Sequence, residues 1–396
     1  MKKLRIMECF GGIGACSKAL ERLGIDYEIA DYVEIDKYAV KSFNAIHNTN
    51  FEPQDICKWD KDVEVDLIMH GSPCQDFSLA GKQAGGDKDS GTRSSLMYET
   101  IRIVEKLKPK YVIWENVKNL LSKKHRHNFD AYLETMEQLG YTNYYQVLNA
   151  KDYGIPQNRE RVFTVSILGN ENYEFPPKQE LKLKLKDMLE DKVDEKYYLT
   201  DSMINYLENG KYNYAKVSNK LKQTETGISP TLDTMQGGNR QPFVTVKNAY
   251  LRDFGSKGKI QNKEYCDALT ASMGTGGGNV PIIKSKCKRL ESLVEKTDFE
   301  EGKVLNMDLY NQTTNENISQ CLTEPHHNSQ RLFDGLRIRK LTPKECWRLM
   351  GFDDEDFEKA AKVNSNTQLY KQAGNSICVP VLMAIFKELI KWLPTL

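Results

Sequence analysis

The sequence predicts an α/β protein: a doubly wound, mostly parallel sheet, then a second, smaller β-rich domain, then a helical return. Three observations predict it. From Met1 to about Asn170, short apolar runs alternate with amphipathic stretches of helix length, the order that gives a parallel sheet covered on both faces. From Thr224 to Phe333 the texture changes to short strand-like runs between Gly/Asn-rich turns. Beyond them Thr342 precedes Pro343 and Glu345, a helix-start signal, and Val381–Leu393 is amphipathic.

The elements follow in order. Leu4–Cys9 reads as a buried strand and Ser17–Leu23 as a helix; Ile29–Glu34 is a strand and Lys37–His47 a helix. Val65–Met69 is a strand, Met97–Leu107 a helix and Tyr111–Glu115 a strand. Phe129–Leu139 is a helix, and Tyr144–Leu148 and Arg161–Ile167 are strands. Ser78–Ser94 interrupts this order with Gly81, Gly85, Gly86 and Gly91 among polar residues, and a loop of that length in a compact domain is functional or disordered. Lys178–Lys192 is a charge-rich exposed helix or linker. A weak repeat marks the β-rich part. Pro230-Thr231-Leu232, Asp267-Ala268-Leu269-Thr270 and Gln320-Cys321-Leu322-Thr323 each lead through a turn to Pro242-Phe243-Val244, Pro281-Ile282-Ile283 and Leu332-Phe333, and read as three hairpin-like units.

Composition sets limits. A chain of 396 residues is comfortable as two domains. With 56 Lys and Arg against 55 Asp and Glu there is no global basic signature, so the charge neither supports nor excludes a nucleic-acid partner. Nine cysteines without a Cys-x-x-Cys pair argue against a disulfide framework and a structural zinc site, and a reducing cytosol is expected. Met1–Lys3 runs directly into a strand, so no secretory leader is expected. No apolar run of bilayer-crossing length is read.

Chemistry concentrates at strand ends. Phe10-Gly11-Gly12-Ile13-Gly14 follows the first strand, where glycines allow a tight turn and a ligand at a helix N-terminus. Glu34 ends the second strand, where a carboxylate can accept ribose hydroxyls. Together they point to an adenosine-containing cofactor, a nicotinamide nucleotide or S-adenosylmethionine. Gly71-Ser72-Pro73-Cys74-Gln75-Asp76-Phe77-Ser78 ends another strand, and places a cysteine at the ligand-binding edge of a parallel sheet. Trp114-Glu115-Asn116-Val117 delivers Glu115 to that edge as a general acid or hydrogen-bond donor. Arg159 and Arg161 alternate at strand spacing and point the same way, which suits a phosphate or a base carbonyl as well as two surface salt bridges.

In this order the motifs resemble the DNA (cytosine-5) methyltransferase family of bacterial or phage type. The resemblance rests on Phe10-x-Gly12-x-Gly14, Glu34, Asp55-Ile56, Gly71-x-Pro73-Cys74-Gln75, Glu115-Asn116-Val117 and Gln157-x-Arg159-x-Arg161. It continues in Arg339–Pro343, Arg348–Phe352, Gln372–Ser376 and Val379-Pro380. It implies the S-adenosylmethionine-dependent methyltransferase fold, with residues 1–170 plus 370–396 as the catalytic domain and 171–369 as target-recognition domain and return hinge. It implies that Cys74 adds to carbon 6 of a flipped-out cytosine. Glu115 then contacts ring nitrogen 3 and the exocyclic amine, Arg161 the base carbonyl, Arg159 supports the nucleophile and Asn116 holds the catalytic loop. For S-adenosylmethionine it implies Phe10, Gly12, Gly14, Glu34, Ile35, Asp55, Ile56, Pro73 and Asn375, with no metal; position 35 is Ile where several relatives carry an aromatic.

Gln75–Ser94 would be the lid over the flipped base. Thr231-Leu232 resembles the Thr-Leu element of the family's recognition domain. The cluster Arg337, Arg339, Lys340, Lys344 and Arg348 reads equally as a phosphate-contacting surface or a solvated helix face. Duplex DNA is the implied partner, with room for a cognate restriction endonuclease, and a cytoplasmic monomer without membrane contact is expected. A transfer-RNA methyltransferase of the same fold, a silent nucleic-acid-binding module and a nicotinamide-dependent oxidoreductase are the competing readings. The last explains Gly12 and Glu34 but not Pro73-Cys74-Gln75.

Overall fold

The structure, a computed structural model, describes residues 3–73, 93–197 and 341–391, together with short strands between Pro242 and Lys340. The first region runs β1 (Leu4–Cys9), α1 (Ala15–Leu23), β2 (Tyr27–Val33), α2 (Lys37–His47), β3 (Leu67–His70), α3 (Met97–Leu107), β4 (Tyr111–Val117) and α4 (Arg126–Gln138). Then come β5 (Tyr141–Asn149), β6 (Gln157–Asn158) and β7 (Glu160–Leu168). The main sheet has the order β2-β1-β3-β4-β7-β5. Its first four strands are parallel. β7 runs antiparallel to both β4 and β5, so an antiparallel hairpin closes one edge.

Alternation along the strands explains the layers. In β3 and β4, Leu67, Met69, Tyr111 and Ile113 enter one core with Ala19 and Leu20 of α1. Ile68, Val112 and Trp114 enter the other with Ile101 and Val104 of α3 and Phe129 and Tyr132 of α4. Period-two side-chain direction in strands buried on both faces produces this division, and each fully buried Leu, Ile or Phe contributes about 1.5–3 kcal/mol.

The chain returns to this core through α5 (Pro343–Arg348), α6 (Asp354–Ala361), α7 (Asn366–Asn375) and α8 (Val379–Ile390). The start of α5 is the expected one: the Thr342 hydroxyl accepts the Glu345 N–H, and the Glu345 carboxylate accepts the Thr342 N–H at 2.7 Å. Leu341, Trp347, Leu349, Phe352, Leu369 and Ile385 share one buried cluster with Leu4 and Ile6. Residues 341–369 therefore pack with the catalytic core, and the boundary expected at 370 falls inside that packing. The segment Asn366–Ile390, 25 residues, is long and apolar enough to cross a bilayer, which the sequence reading missed. It is broken into α7 and α8 at Ser376–Cys378 and mostly buried against the protein, as a core element is.

Between the two parts, β8 (Pro242–Thr245) pairs antiparallel with β9 (Tyr250–Asp253) and parallel with β10 (Ile282–Lys284). Phe243 and Ile282, from the first two units of the repeat, are partners in register. The third unit's Leu332-Phe333 lies in β12 (Gln330–Phe333), which pairs with β11 (Leu305–Asp308) in another sheet. The turns of all three units lie outside the described residues.

Candidate active site

Two clusters meet at the carboxyl edge of the parallel strands. The first surrounds the turn between β1 and α1. Phe10, Gly12 and Gly14 all have positive φ, at 53°, 56° and 81°. A Cβ on Gly14 would stand 2.2 Å from His47 Nε2, so α2 closes that side; a Cβ on Gly12 would meet nothing within 4 Å, so that side is open. The turn is held from below: the Tyr32 hydroxyl donates to the Gly12 carbonyl at 2.6 Å. His47 Nε2 lies 3.3 Å from the Ile13 carbonyl, and burial pushes the His47 ring down to about 4, so it stays neutral.

Glu34 faces the open side. Its carboxylate accepts the Gly12 N–H at 3.2 Å and the Asp36 N–H at 2.9 Å. Burial nevertheless raises its pKa above the ordinary carboxylate value. A carboxylate short of water in front of an open glycine turn suits hydroxyl donors. The next residue, Ile35, is 69% exposed, an apolar face with nothing yet against it. The Gln54 N–H donates to the Glu34 carbonyl at 2.8 Å, which brings Asp55 and Ile56 to the end of β2. Asp55 caps its own short turn by accepting the Cys57 N–H at 3.0 Å, and Ile56 is buried. Phe10 packs beside the α3 core. This set fits an adenosyl group: open backbone, a ribose acceptor and an apolar wall.

The second cluster lies one and two strands over, at the ends of β3 and β4. Glu115, near the end of β4, sits with its Oε1 3.1 Å from Arg161 Nε, and both side chains are largely buried. A Cβ on Gly71 would stand 3.7 Å from Glu115 Oε2 and 3.7 Å from Ile377 Cδ1. The β3 exit, Glu115 and the segment between α7 and α8 thus share one small space. Two bonds fix that exit: the Trp114 indole N–H donates to the Ser72 hydroxyl at 3.0 Å, and the Asn116 amide donates to the Ser72 carbonyl at 3.3 Å. Pro73 follows directly. Cys74 and the loop from Gln75 lie outside the described residues.

Arg159 and Arg161 take different partners at one edge of the sheet. Arg159 lies between β6 and β7 rather than in a strand. Its guanidinium donates to the carbonyls of Gly374 at 3.2 Å and Ser376 at 2.8 Å. Arg159 therefore ties the β7 hairpin to the end of α7, where Asn375 is exposed at the same edge. The C-terminal half of the expected basic cluster is neutralised: Arg348 forms a bidentate pair with Asp354, both contacts 2.7 Å, and Lys344 reaches Glu358 at 3.0 Å. Arg337, Arg339 and Lys340 have no described side chains. Trp114, Ser72 and Tyr32 carry no motif signal, because only strand pairing gives them their roles.

An open glycine turn with an acidic side chain beside it, two strands along the sheet from a buried acid–arginine pair, has the features that fit an adenosyl cofactor. The sequence comparison makes this specific. The chain belongs to the C-5 cytosine-specific DNA methylase family, whose model matches residues 4–391. It is 33% identical over 447 residues to the type II methyltransferase M2.ScrFI of Lactococcus lactis subsp. cremoris, covering 98% of this chain and 99% of that one. It is 33% identical over 456 residues to the orphan methyltransferase M.SPBetaI of Bacillus phage SPbeta, covering 98% of each. Among solved structures, the Entamoeba histolytica methyltransferase EhMeth matches at TM-score 0.63 with 16% identity and full coverage of both chains, a likeness of fold.

Proposed function

We propose that the protein methylates carbon 5 of a flipped-out cytosine in duplex DNA, through a covalent bond between Cys74 and carbon 6 of the base. The observation that carries this reading is the Glu115–Arg161 pair at 3.1 Å beside the pinned β3 exit, one residue after which Cys74 follows Pro73. The match to the C-5 cytosine-specific DNA methylase family supports the DNA substrate.

Carbon 5 of cytosine is a weak nucleophile, and covalent addition at carbon 6 splits one hard step into easier ones. The Cys74 thiolate forms the sulfur–carbon 6 bond, and the ring electrons move toward carbon 5. Glu115 holds ring nitrogen 3 and the exocyclic amine, which stabilises the charge that the adduct develops. Arg161, against Glu115, reaches the base carbonyl. Arg159 positions the α7 end through the Gly374 and Ser376 carbonyls. Bound S-adenosylmethionine supplies an electrophilic methyl group. Gly12, Gly14 and Phe10 would hold it with Glu34, Ile35, Asp55, Ile56, Pro73 and Asn375. With that methyl group on carbon 5, transfer of the carbon 5 proton to water breaks the sulfur–carbon 6 bond, expels the Cys74 thiolate and restores the ring.

Because the target atom is stacked in the duplex, the base must leave the helix, at a cost of a few kcal/mol. The loop from Gln75 to Ser94 is the proposed lid. The segment between residues 171 and 369 holds the proposed target-recognition domain, chiefly its strands from Pro242 to Lys340. A cytoplasmic setting suits such a substrate.

The test is transfer of labelled methyl from S-adenosylmethionine to duplex DNA, single-stranded DNA and transfer RNA, followed by base analysis. Label on carbon 5 of cytosine in duplex DNA, absent with Cys74→Ser, is the expected result. Label in transfer RNA alone would overturn the DNA assignment, and no label anywhere would leave a binding module.

A further inference from the structure

We infer that the basic turn joining β4 to α4 docks the phosphate backbone of duplex DNA beside the active site. This rests on the DNA substrate proposed above. The chain as a whole is balanced, at net charge +1, but this segment is not. From Asn116 to Phe129 it carries Lys118, Lys123, Lys124 and Arg126, and neither Asp nor Glu.

Position makes the charge useful. The turn begins at the residue after β4, three residues from Glu115, so it stands at the same edge of the sheet. Lys118 reaches Glu160 at 3.1 Å, next to Arg161, so the turn flanks the Glu115–Arg161 pair. Lys123, Lys124 and His127 are exposed, and Lys123 has no ion-pair partner among the described residues.

The turn is also ordered. Leu120 and Phe129 are fully buried on either side of it. The N–H groups of His125 and Arg126 donate to the Ser122 carbonyl at 3.0 and 2.8 Å. The Arg126 guanidinium lies 5.4 Å from the Phe129 ring centre and 5.6 Å from that of Tyr145, and is paired with Asp130 at 2.7 Å. The first turn of the 13-residue helix α4 holds no acid, so its positive end adds to the local potential. Lys118 and Arg126 are matched by Glu160 and Asp130, as Lys344 and Arg348 are by Glu358 and Asp354 on the surface read as basic from sequence. Lys123, exposed and without an ion-pair partner among the described residues, gives up no carboxylate to a polyanion, and each phosphate neutralised releases condensed counterions.

The test is the salt dependence of duplex DNA binding by the full chain, with Lys123→Gln/Lys124→Gln compared with wild type. Each phosphate-contacting lysine contributes about one unit to the slope of log affinity against log salt. The double variant should therefore lose about two units of slope, weaken binding evenly across DNA sequences, and melt with the wild type. Lys123→Arg/Lys124→Arg should keep the slope. Lys359→Gln/Lys391→Gln, which removes two ion-paired lysines elsewhere, should also keep it. An unchanged slope in Lys123→Gln/Lys124→Gln overturns the inference. Absence of any duplex binding by the wild type would instead remove the DNA reading, and this surface with it.

Discussion

The two halves of the site are built from different materials. On the side proposed for the cofactor the working parts are backbone: three residues of positive φ, two amides that donate to Glu34, and an open space over Gly12. On the base side they are side chains: Glu115 against Arg161, Trp114 and Asn116 against Ser72. A backbone cradle recognises a ligand by shape and tolerates few added atoms. A side-chain cluster does chemistry and can be changed atom by atom. Substitutions should therefore separate the halves: cofactor-side changes act on folding and cofactor affinity, base-side changes on turnover.

The largest separation is expected from Glu115→Gln. Removing an acid that acts at the reacting ring should lower kcat by about 100-fold or more, while the melting temperature and S-adenosylmethionine affinity stay near wild type. Single-turnover methylation and calorimetric titration of the cofactor measure the two. A matched loss of cofactor affinity would erase the proposed division. Gly14→Ala is the counterpart. Its Cβ would meet His47 Nε2 at 2.2 Å and Phe43 at 2.8 Å, at φ 81°. Overpacking and left-handed strain together cost about 3 kcal/mol, read as a lower thermal midpoint. Gly12→Ala meets no protein atom, so its thermal loss should be about 1 kcal/mol, yet it should weaken S-adenosylmethionine by tenfold or more. Cofactor affinity unchanged in Gly12→Ala would mean that the open space is not the cradle.

How legible this was in the sequence follows from the same contrast. Gly12, Gly14, Glu34 and Glu115 could be placed because glycine turns and strand-end acids are local signals, read from a few neighbouring residues. The direction of β7 could not, since alternation of apolar residues is the same in parallel and antiparallel strands. Arg159 and Arg161 were expected to point together; the break between β6 and β7 gives them different partners at one edge, the Gly374 and Ser376 carbonyls for Arg159 and Glu115 for Arg161. The basic cluster around Lys344 and Arg348 was left between two readings because its acids, Asp354 and Glu358, belong to the next helix. Its replacement, the turn after β4, is contiguous in sequence, but its place beside Glu115 needed the sheet.

Between the halves in size lies Glu8, buried in β1 under the glycine turn. It accepts the Ser17 N–H of α1 at 3.1 Å, and burial pushes its carboxyl up to about 7. A raised carboxyl pKa means that the fold prefers the neutral form. Its contribution is complete below the unfolded value near 4.5 and is lost as pH rises through about 7. The full shift corresponds to about 3 kcal/mol. Glu8→Gln should therefore match wild type at pH 4.5 and melt higher at pH 8. His47 and His70, held neutral by burial at about 4 and about 3, act in the opposite sense below pH 6.5 in both proteins, so the difference between them isolates Glu8. A constant difference across that range would mean that Glu8 is ionised throughout.

The smallest expected effect tests the base side where it touches no ligand. Trp114 is fully buried, stacks on His70 at 5.7 Å and hydrogen-bonds Ser72, so it is a core residue and a positioning residue at once. Trp114→Phe keeps an aromatic ring and removes the indole N–H, a loss of about 1 kcal/mol for one buried hydrogen bond. Ser72→Ala removes the other partner. If the bond only stabilises the fold, both variants should melt lower and turn over normally. If it aims the chain that leads to Cys74, kcat should fall several-fold in each with KM for S-adenosylmethionine unchanged. The double variant should be no worse than the poorer single one, because the two act through one bond. Additive losses in kcat would show two separate roles, and the difference between a backbone cradle and a side-chain cluster would then stop at the residues that touch the base.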